Sequence, residues 1–322
     1  MTPLEPAPTI LTEGRQLYLK REDLHELGAF KWRGALPVLE RYRLEGAAAV
    51  VTASTGNHGA ATAWAAQRLG LAAIVFVPEQ ASATKLARIA ELGADIRRAG
   101  ADMDEAKELA RAEAAERGLP FFEDGAEPEQ YAGYRAIGDE LLDQLGVPRY
   151  GAGEAGTFAP SRLPRAYAGQ PAAVVVPVGN GALLGGIGRA VLERSPETLR
   201  VGVVAADAPV MADSFDAGRP VDGERCATFA DGLAVRVAIP YAVQVLHEVA
   251  NRMLRVSERD LARAVADFAA AGIRVEGAAA AGLAALPQLD RLRGPIVLVV
   301  TGRNIDDDLL ERIRAHPELF SE

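Results

Sequence analysis

The feature that most limits what this chain can fold into is a repeated switch between two hydrophobic periods. Short β-branched runs such as AAAVVTA, LAAIVFVP, AAVVVPV and GPIVLVV read as buried strands. Between them lie helical stretches, among them GNHGAATAWAAQRLG, SATKLARIAELG, ADMDEAKELARAEAAERG and ALLGGIGRAVLERS. Strands separated by helices of that size form βαβ units and a parallel sheet. ADIRRAG and LRVGVVAA add two strand candidates. EPEQYAGYRAIGDELLDQLG reads as a helix with interruptions, and residues 257–271 and AAAAGLAALPQL read as further helices. The pattern pauses at residues 147–170, where Gly, Pro and Ala crowd a stretch with little periodicity, the mark of a loop or domain junction. No fixed repeat of about 20–50 residues is present, which excludes solenoids and propellers. The expectation is an α/β protein of two lobes.

Composition removes other classes. A net charge of −9 argues against a nucleic-acid or anionic-membrane binder, which needs a basic face. No apolar run approaches about 18 residues, and MTPLEPAPTI lacks the basic and apolar regions of a signal peptide. The single cysteine, Cys226, excludes an internal disulfide and a cysteine-rich metal site. Of the 35 basic residues only Lys20, Lys31, Lys85 and Lys107 are lysines. Where arginine serves every ordinary need for positive charge, a lysine can mark a need for a primary amine, since a guanidinium cannot deprotonate and attack a carbonyl.

Three strand-to-helix turns are candidates for holding an anion on helix N-terminal N–H groups. In AVVTASTGNHGAA, Ser54, Thr55, Gly56, Asn57 and His58 would suit a carboxylate. In VVVPVGNGALLGGIG, Gly179, Asn180, Gly181, Ala182 and Leu183 could wrap a phosphate. That second turn, with Asp207 at the end of the next strand, equally fits a dinucleotide fingerprint and a nicotinamide oxidoreductase. In IVLVVTGRNID, Thr301 ends a strand, although Thr and Asn there also serve as ordinary helix caps. The segment LYLKREDLHELGAFKWRGA favours the phosphate reading. Lys31 lies between Phe30 and Trp32 at the start of an apolar helix, and burial suits an amine that must be uncharged to react.

Taken with ASTGNHGAA, PVGNGALLGGIG, VGVVAADAPVMADSFDAGRPV, FADGLAVR, EGAAAAGLAAL and VTGRNID, that segment resembles the fold-type II pyridoxal-phosphate enzymes, in their serine/threonine dehydratase and serine racemase branch. The resemblance is collinear over nearly the whole chain. It implies the two-lobed tryptophan synthase β-like α/β fold, with open parallel-rich sheets flanked by helices. Residues 1–52 and 131–322 would form the large cofactor-binding domain and 53–130 a small mobile one. It implies pyridoxal 5'-phosphate as cofactor, joined to Lys31 as a Schiff base with Phe30 beside it. Asn57 matches the asparagine at the ring hydroxyl, and Ser54, Thr55, Gly56, Asn57 and His58 match the substrate-carboxylate loop. Gly179, Asn180, Gly181, Ala182 and Leu183 match the phosphate loop, Thr301 the hydroxyl residue at the pyridine nitrogen, and Glu276 a glutamate near the ring.

Departures from the family pattern are also present. Asn180 and Ala182 replace two glycines, so Ala182 is expected to take a backbone geometry that glycine adopts at less cost. Val204 and Val210 stand where relatives carry divalent-metal ligands, so no metal is expected. Tyr134-Arg135-Ala136 replaces small residues beside the substrate. The implied activity is deaminating dehydration of a β-hydroxy amino acid such as threonine or serine, in a cytoplasmic homodimer with a small amino-acid substrate and neither nucleic acid nor membrane as partner. The chain ends shortly after Asn304, so a C-terminal feedback domain is not expected. Serine racemase, hydroxyectoine-type dehydratase, threonine synthase-like and β-replacement chemistries are the alternatives within the family.

Overall fold

Nearly continuous Val, Ile, Leu and Ala in several strands demand cover on both faces, which a parallel sheet provides when its crossover connections are helices. The computed structural model describes residues 1–149, 169–223 and 226–321. Of the junction read at 147–170, residues 150–168 lie outside the described residues. In chain order the elements are β1 (Leu4–Pro6), α1 (Thr9–Thr12), β2 (Leu17–Arg21), α2 (Trp32–Leu44), β3 (Ala49–Ala53), α3 (Asn57–Leu69) and β4 (Ala72–Val77). There follow α4 (Ala83–Glu91), β5 (Asp95–Arg98), α5 (Met103–Glu116), α6 (Pro128–Gln144), β6 (Ala173–Pro177), α7 (Ala182–Arg194) and β7 (Leu199–Ala205). The last are α8 (Val210–Ala217), α9 (Pro240–Val249), β8 (Arg252–Val256), α10 (Glu258–Ala270), α11 (Gly277–Ala284), β9 (Ile296–Val300) and α12 (Asp307–Ala315).

The chain divides into two compact units, one of Met1–Gly28 with Tyr134–Glu322 and one of Ala29–Gly133. In the first unit the sheet order is β1-β2-β9-β6-β7-β8, parallel except for the short antiparallel edge strand β1. The central strands β6 and β9 are buried at every residue. Val175, Val201 and Leu298 pack there with Ala279, Ala280 and Ala281 of α11 and Leu261, Val265 and Phe268 of α10. Alanine-rich α11 lets its backbone approach the sheet closely, and it runs out at Ala284 before a short 3-10 turn through Pro287.

The second unit carries a three-stranded parallel sheet, β3-β4-β5. Its helix α3 is buried on every side from His58 to Ala66, with Ala60, Ala61, Ala63, Ala65 and Ala66 keeping it slim. α2 packs on α3, with Trp32 and Trp64 edge to face at 5.8 Å between ring centroids. Segment 53–130 lies within this unit. Residues 29–52, which the resemblance assigned to the larger domain, pack here too, because β3 pairs with β4 and α2 rests on α3. Among the described residues, no helix is long and apolar enough to cross a membrane.

The helix expected to be interrupted is continuous: α6 runs for 17 residues through Gly133 and Gly138. Gly133 is a site of close approach, since a Cβ there would overlap the carbonyl of Arg33 near the start of α2. β1, β2, α8, α9, β8 and α12 were not read from the sequence. Replacing Gly133 by Ala should cost about 1–3 kcal/mol through overpacking. A lower thermal unfolding midpoint for the variant would show it, and an unchanged midpoint would contradict the contact.

Candidate cofactor site

The candidate residues fall in two groups, one in each unit. In the first unit the phosphate-loop candidates follow β6 and Thr301 follows β9. Because β6 and β9 are parallel neighbours, both turns leave the sheet at its carboxyl end, where open α/β sheets bind ligands. Gly181 is the left-handed residue of the loop, at φ 96°, immediately before α7. Ala182 begins α7 without a positive φ, so the strain expected at Ala182 is absent: the helix's first residue needs only ordinary geometry. Asn180 accepts a hydrogen bond from the Ala182 N–H at 3.1 Å, which closes the turn. A Cβ at Gly179 would overlap the Gly232 carbonyl, so two backbones meet there. Beyond Ala182, the first-turn N–H groups of α7 have no carbonyl within the helix to meet and can take phosphate oxygens.

Thr301 is 2% exposed, and its hydroxyl has no hydrogen-bond partner among the described residues. A buried orphan hydroxyl is uncommon and calls for an explanation. A pyridine nitrogen would supply the missing partner, so these residues fit the cofactor. Glu276 lies beside Gly302, whose carbonyl accepts the Glu276 N–H at 3.1 Å. Arg135 pairs with Glu193 at 2.5 Å and with Asp139 at 3.4 Å, while Tyr134 is fully buried. Asp207, the acid of the dinucleotide alternative, is exposed and accepts a hydrogen bond from Ser321 at 3.3 Å.

In the second unit, α2 begins directly after Lys31 and Phe30 is buried beside it, the Lys31 Nζ lying 5.2 Å from the ring centroid. Lys31 forms an ion pair with Asp124. The backbone explains how a residue 93 positions away arrives there. Val51 of β3 exchanges hydrogen bonds with the flanking segment, accepting from Phe122 at 2.8 Å and donating to Pro120 at 3.0 Å. That segment therefore runs parallel to β3 and delivers Asp124 to the end where Ser54, Thr55 and Gly56 turn into α3. Ser54 accepts from the Gly56 N–H at 3.2 Å, and Ser54, Thr55, Gly56 and Asn57 are all at least partly exposed.

His58 is different: it points inward and is buried. Thr52 donates to the Phe122 carbonyl at 2.8 Å, and His58 Nε2 lies 3.0 Å from the Thr52 hydroxyl and 3.3 Å from the same carbonyl. Since that carbonyl only accepts and already takes the Thr52 proton, Nε2 carries the ring hydrogen. Nδ1 then faces Asp124 Oδ1 at 3.7 Å, beyond hydrogen-bond range. Burial lowers the imidazole's proton affinity below its usual range, and Lys31 adds to this against the opposing pull of Asp124. Burial alone would raise the Asp124 carboxyl. The Lys31 ammonium, through its charge and its hydrogen bond, and a hydrogen bond from Gln130 at 3.0 Å instead hold it far below the usual carboxylate range.

Asp124, Thr52 and Gln130 were not singled out from the sequence. Asp124 is one acid among several in FFEDGAEPE, and only its contact with Lys31 distinguishes it. Lys20 is the converse. It is fully buried, more so than Lys31 at 18% exposure, but three groups hold it: the Thr2 carbonyl at 2.7 Å, Glu140 at 2.8 Å and Gln144 at 3.2 Å. Its amine is structurally saturated.

A pyridoxal-phosphate dependent enzyme family model matches residues 1–302. L-threonine ammonia-lyase of Thermotoga maritima is 32% identical over 313 residues, which cover 95% of this chain and 72% of that protein. The processed form of threonine deaminase isoform 2 from Solanum lycopersicum superposes with a TM-score of 0.85 at 28% identity, covering 98% of this chain and 87% of the other. Another solved threonine deaminase, from T.th., gives 0.79 at 34% identity, covering 91% and 89%. The open parallel-rich sheets flanked by helices are those of fold-type II. The chain belongs to the pyridoxal-phosphate dependent enzymes, and the nicotinamide alternative falls with that membership.

Two outcomes follow from this geometry. Thr301→Val removes an unpartnered hydroxyl, so the cofactor-free chain should lose no stability, while cofactor binding should weaken by about fivefold, the worth of one hydrogen bond. Calorimetry and cofactor titration measure the two. For His58 the unfolded chain takes up a proton near pH 6.5 and the folded chain only at lower pH, so stability falls as pH drops through that window. Between about pH 7.5 and 5.5 the urea midpoint of His58→Asn should fall less than that of the wild type.

Proposed function

We propose that this protein is a lyase that dehydrates and deaminates a β-hydroxy amino acid, threonine or serine, releasing a 2-oxo acid and ammonia. The observation that carries this reading is the likeness to the Thermotoga L-threonine ammonia-lyase over almost the whole chain. Pyridoxal phosphate, when bound, supplies a conjugated ring that accepts negative charge as a bond to the substrate's α-carbon breaks. The protein's residues do the rest. Lys31 is the covalent anchor and, once released by the incoming amino group, the base that takes the α-proton. Ser54, Thr55 and Gly56, with the N–H groups opening α3, hold the substrate carboxylate against the positive end of a 13-residue helix. Asn57 serves the ring hydroxyl, and Gly179, Asn180, Gly181, Ala182 and Leu183 hold the phosphate. Thr301 offers the ring nitrogen a neutral hydroxyl rather than a carboxylate, which suits elimination over transamination. His58 supports this loop from below rather than touching the substrate, a role its burial favours. The family resemblance supports a free amino acid as substrate, a cytoplasmic homodimer, and segment 53–130 as a lobe that closes during turnover.

Incubating purified holoprotein with L-threonine, L-serine and 3-hydroxyaspartate, each in turn, tests this reading. At least one should yield ammonia and 2-oxo acid in equal amounts. Lys31→Ala should lose the cofactor's violet-blue absorbance and reduce kcat/KM by about a thousandfold or more. Silence with all three substrates in protein that retains the absorbance would reject the dehydratase. Inversion of configuration without ammonia would mark a racemase instead.

A further inference from the structure

We propose that Asp124 is the counter-ion that receives the Lys31 amine whenever it is not joined to the cofactor, and so places it for proton transfer at the substrate's α-carbon. This rests on the role given to Lys31 above. The Asp124 carboxylate is held rigidly. Gln130 donates to Asp124 Oδ1 at 3.0 Å, and its own amide oxygen accepts from the Gly125 N–H at 2.7 Å. Tyr131 donates to the Gly125 carbonyl at 2.8 Å. On the other side stands His58, fixed by Thr52 and packed on the Phe122 ring at 4.5 Å between centroids. Gln130, Tyr131, Thr52, Phe122 and His58 are all buried. The carboxylate is thus set firmly by neighbours that leave Oδ2 to Lys31, whose four-carbon stem is the movable partner.

The pairing differs in kind from that of Lys20. Three acceptors hold Lys20 at zero exposure, whereas Lys31 meets one carboxylate, among the described residues, at the edge of solvent. One charge-assisted hydrogen bond is strong enough to position an amine and weak enough to release it. In the reaction the Cα–H bond breaks and an Nζ–H bond forms, and the electron pair left at the α-carbon passes to the bound cofactor. Lys31 becomes an ammonium beside a carboxylate that stays ionised, so its new charge is matched without further proton movement.

Two opposite effects follow for Asp124→Asn, a combination that simple structural damage does not produce. The cofactor-free variant should take up pyridoxal phosphate at least about threefold faster at pH 7, because its amine no longer has to leave an ion pair. In the loaded variant kcat should fall by about tenfold or more with KM nearly unchanged, because the base is no longer placed. Asp124→Glu should restore much of kcat. Gln130→Met, which loosens the carboxylate without removing it, should show the same pattern in milder form and serves if Asp124→Asn does not fold. Slower or unchanged uptake, a loss confined to KM, or a glutamate variant no better than asparagine would overturn the proposal. Borohydride reduction and peptide mass spectrometry separate this from the reading beneath it. Cofactor mass found on Lys31 without the uptake and kcat pattern removes Asp124's role alone, whereas its absence from Lys31 in wild-type holoprotein removes both.

Discussion

The parallel pairing of β6 with β9 is the constraint on which the first unit depends. Parallel neighbours end on the same side, so whatever follows each strand emerges together, although residues 177 and 301 are far apart in the chain. A glycine turn placed after one strand and a buried threonine after the other thereby become parts of one surface. The strands hold this arrangement because their unbroken apolar sequence is covered by α10 and α11 on one side of the sheet, where alanine permits close contact. Without that cover the turns would have nothing rigid behind them.

The second unit obtains the same result by different means. Here the chemistry rests on contacts between elements that are not sheet neighbours: α2 laid on α3 through two tryptophans, and residues 120–122 laid along β3. The first contact lays the Lys31 end of α2 on the middle of α3. The second carries Asp124 to Lys31 and to His58 at the start of α3. A third close approach stands at Gly133, where α6 meets the backbone at Arg33 without room for a side chain. The glycine that weakens α6 in isolation is what allows the contact.

Two lysines of this protein separate burial from freedom to move. The more deeply buried lysine is Lys20, and fixed acceptors fill its hydrogen-bonding capacity. Lys31 is less buried and, among the described residues, has a single ionic partner. An amine suited to covalent chemistry must be able to leave its partner, a property that flanking aromatics alone do not supply. Phe30 does bury one side of Lys31, but Asp124 sets its position.

Much of the fold was legible because apolar period is a local property: β3, α3, β4, β6, α7, β7 and β9 each announce themselves within a dozen residues. The candidate lysine, the glycine turn and Thr301 were legible for the same reason, since residue type and immediate neighbours carry the signal. Short or edge elements such as β1 and β8 were not, because their stability comes from pairing partners far away in the chain. Asp124, the inward turn of His58 and the ordinary backbone at Ala182 belonged wholly to the tertiary structure. A carboxylate's role depends on which cation reaches it, and a histidine's on whether its ring faces water or a packed carbonyl. The amino-acid sequence by itself determined the strands, the helices and the chemical types available; only folding decided which side chains meet, because those meetings join residues 31, 58 and 124 through space rather than along the chain.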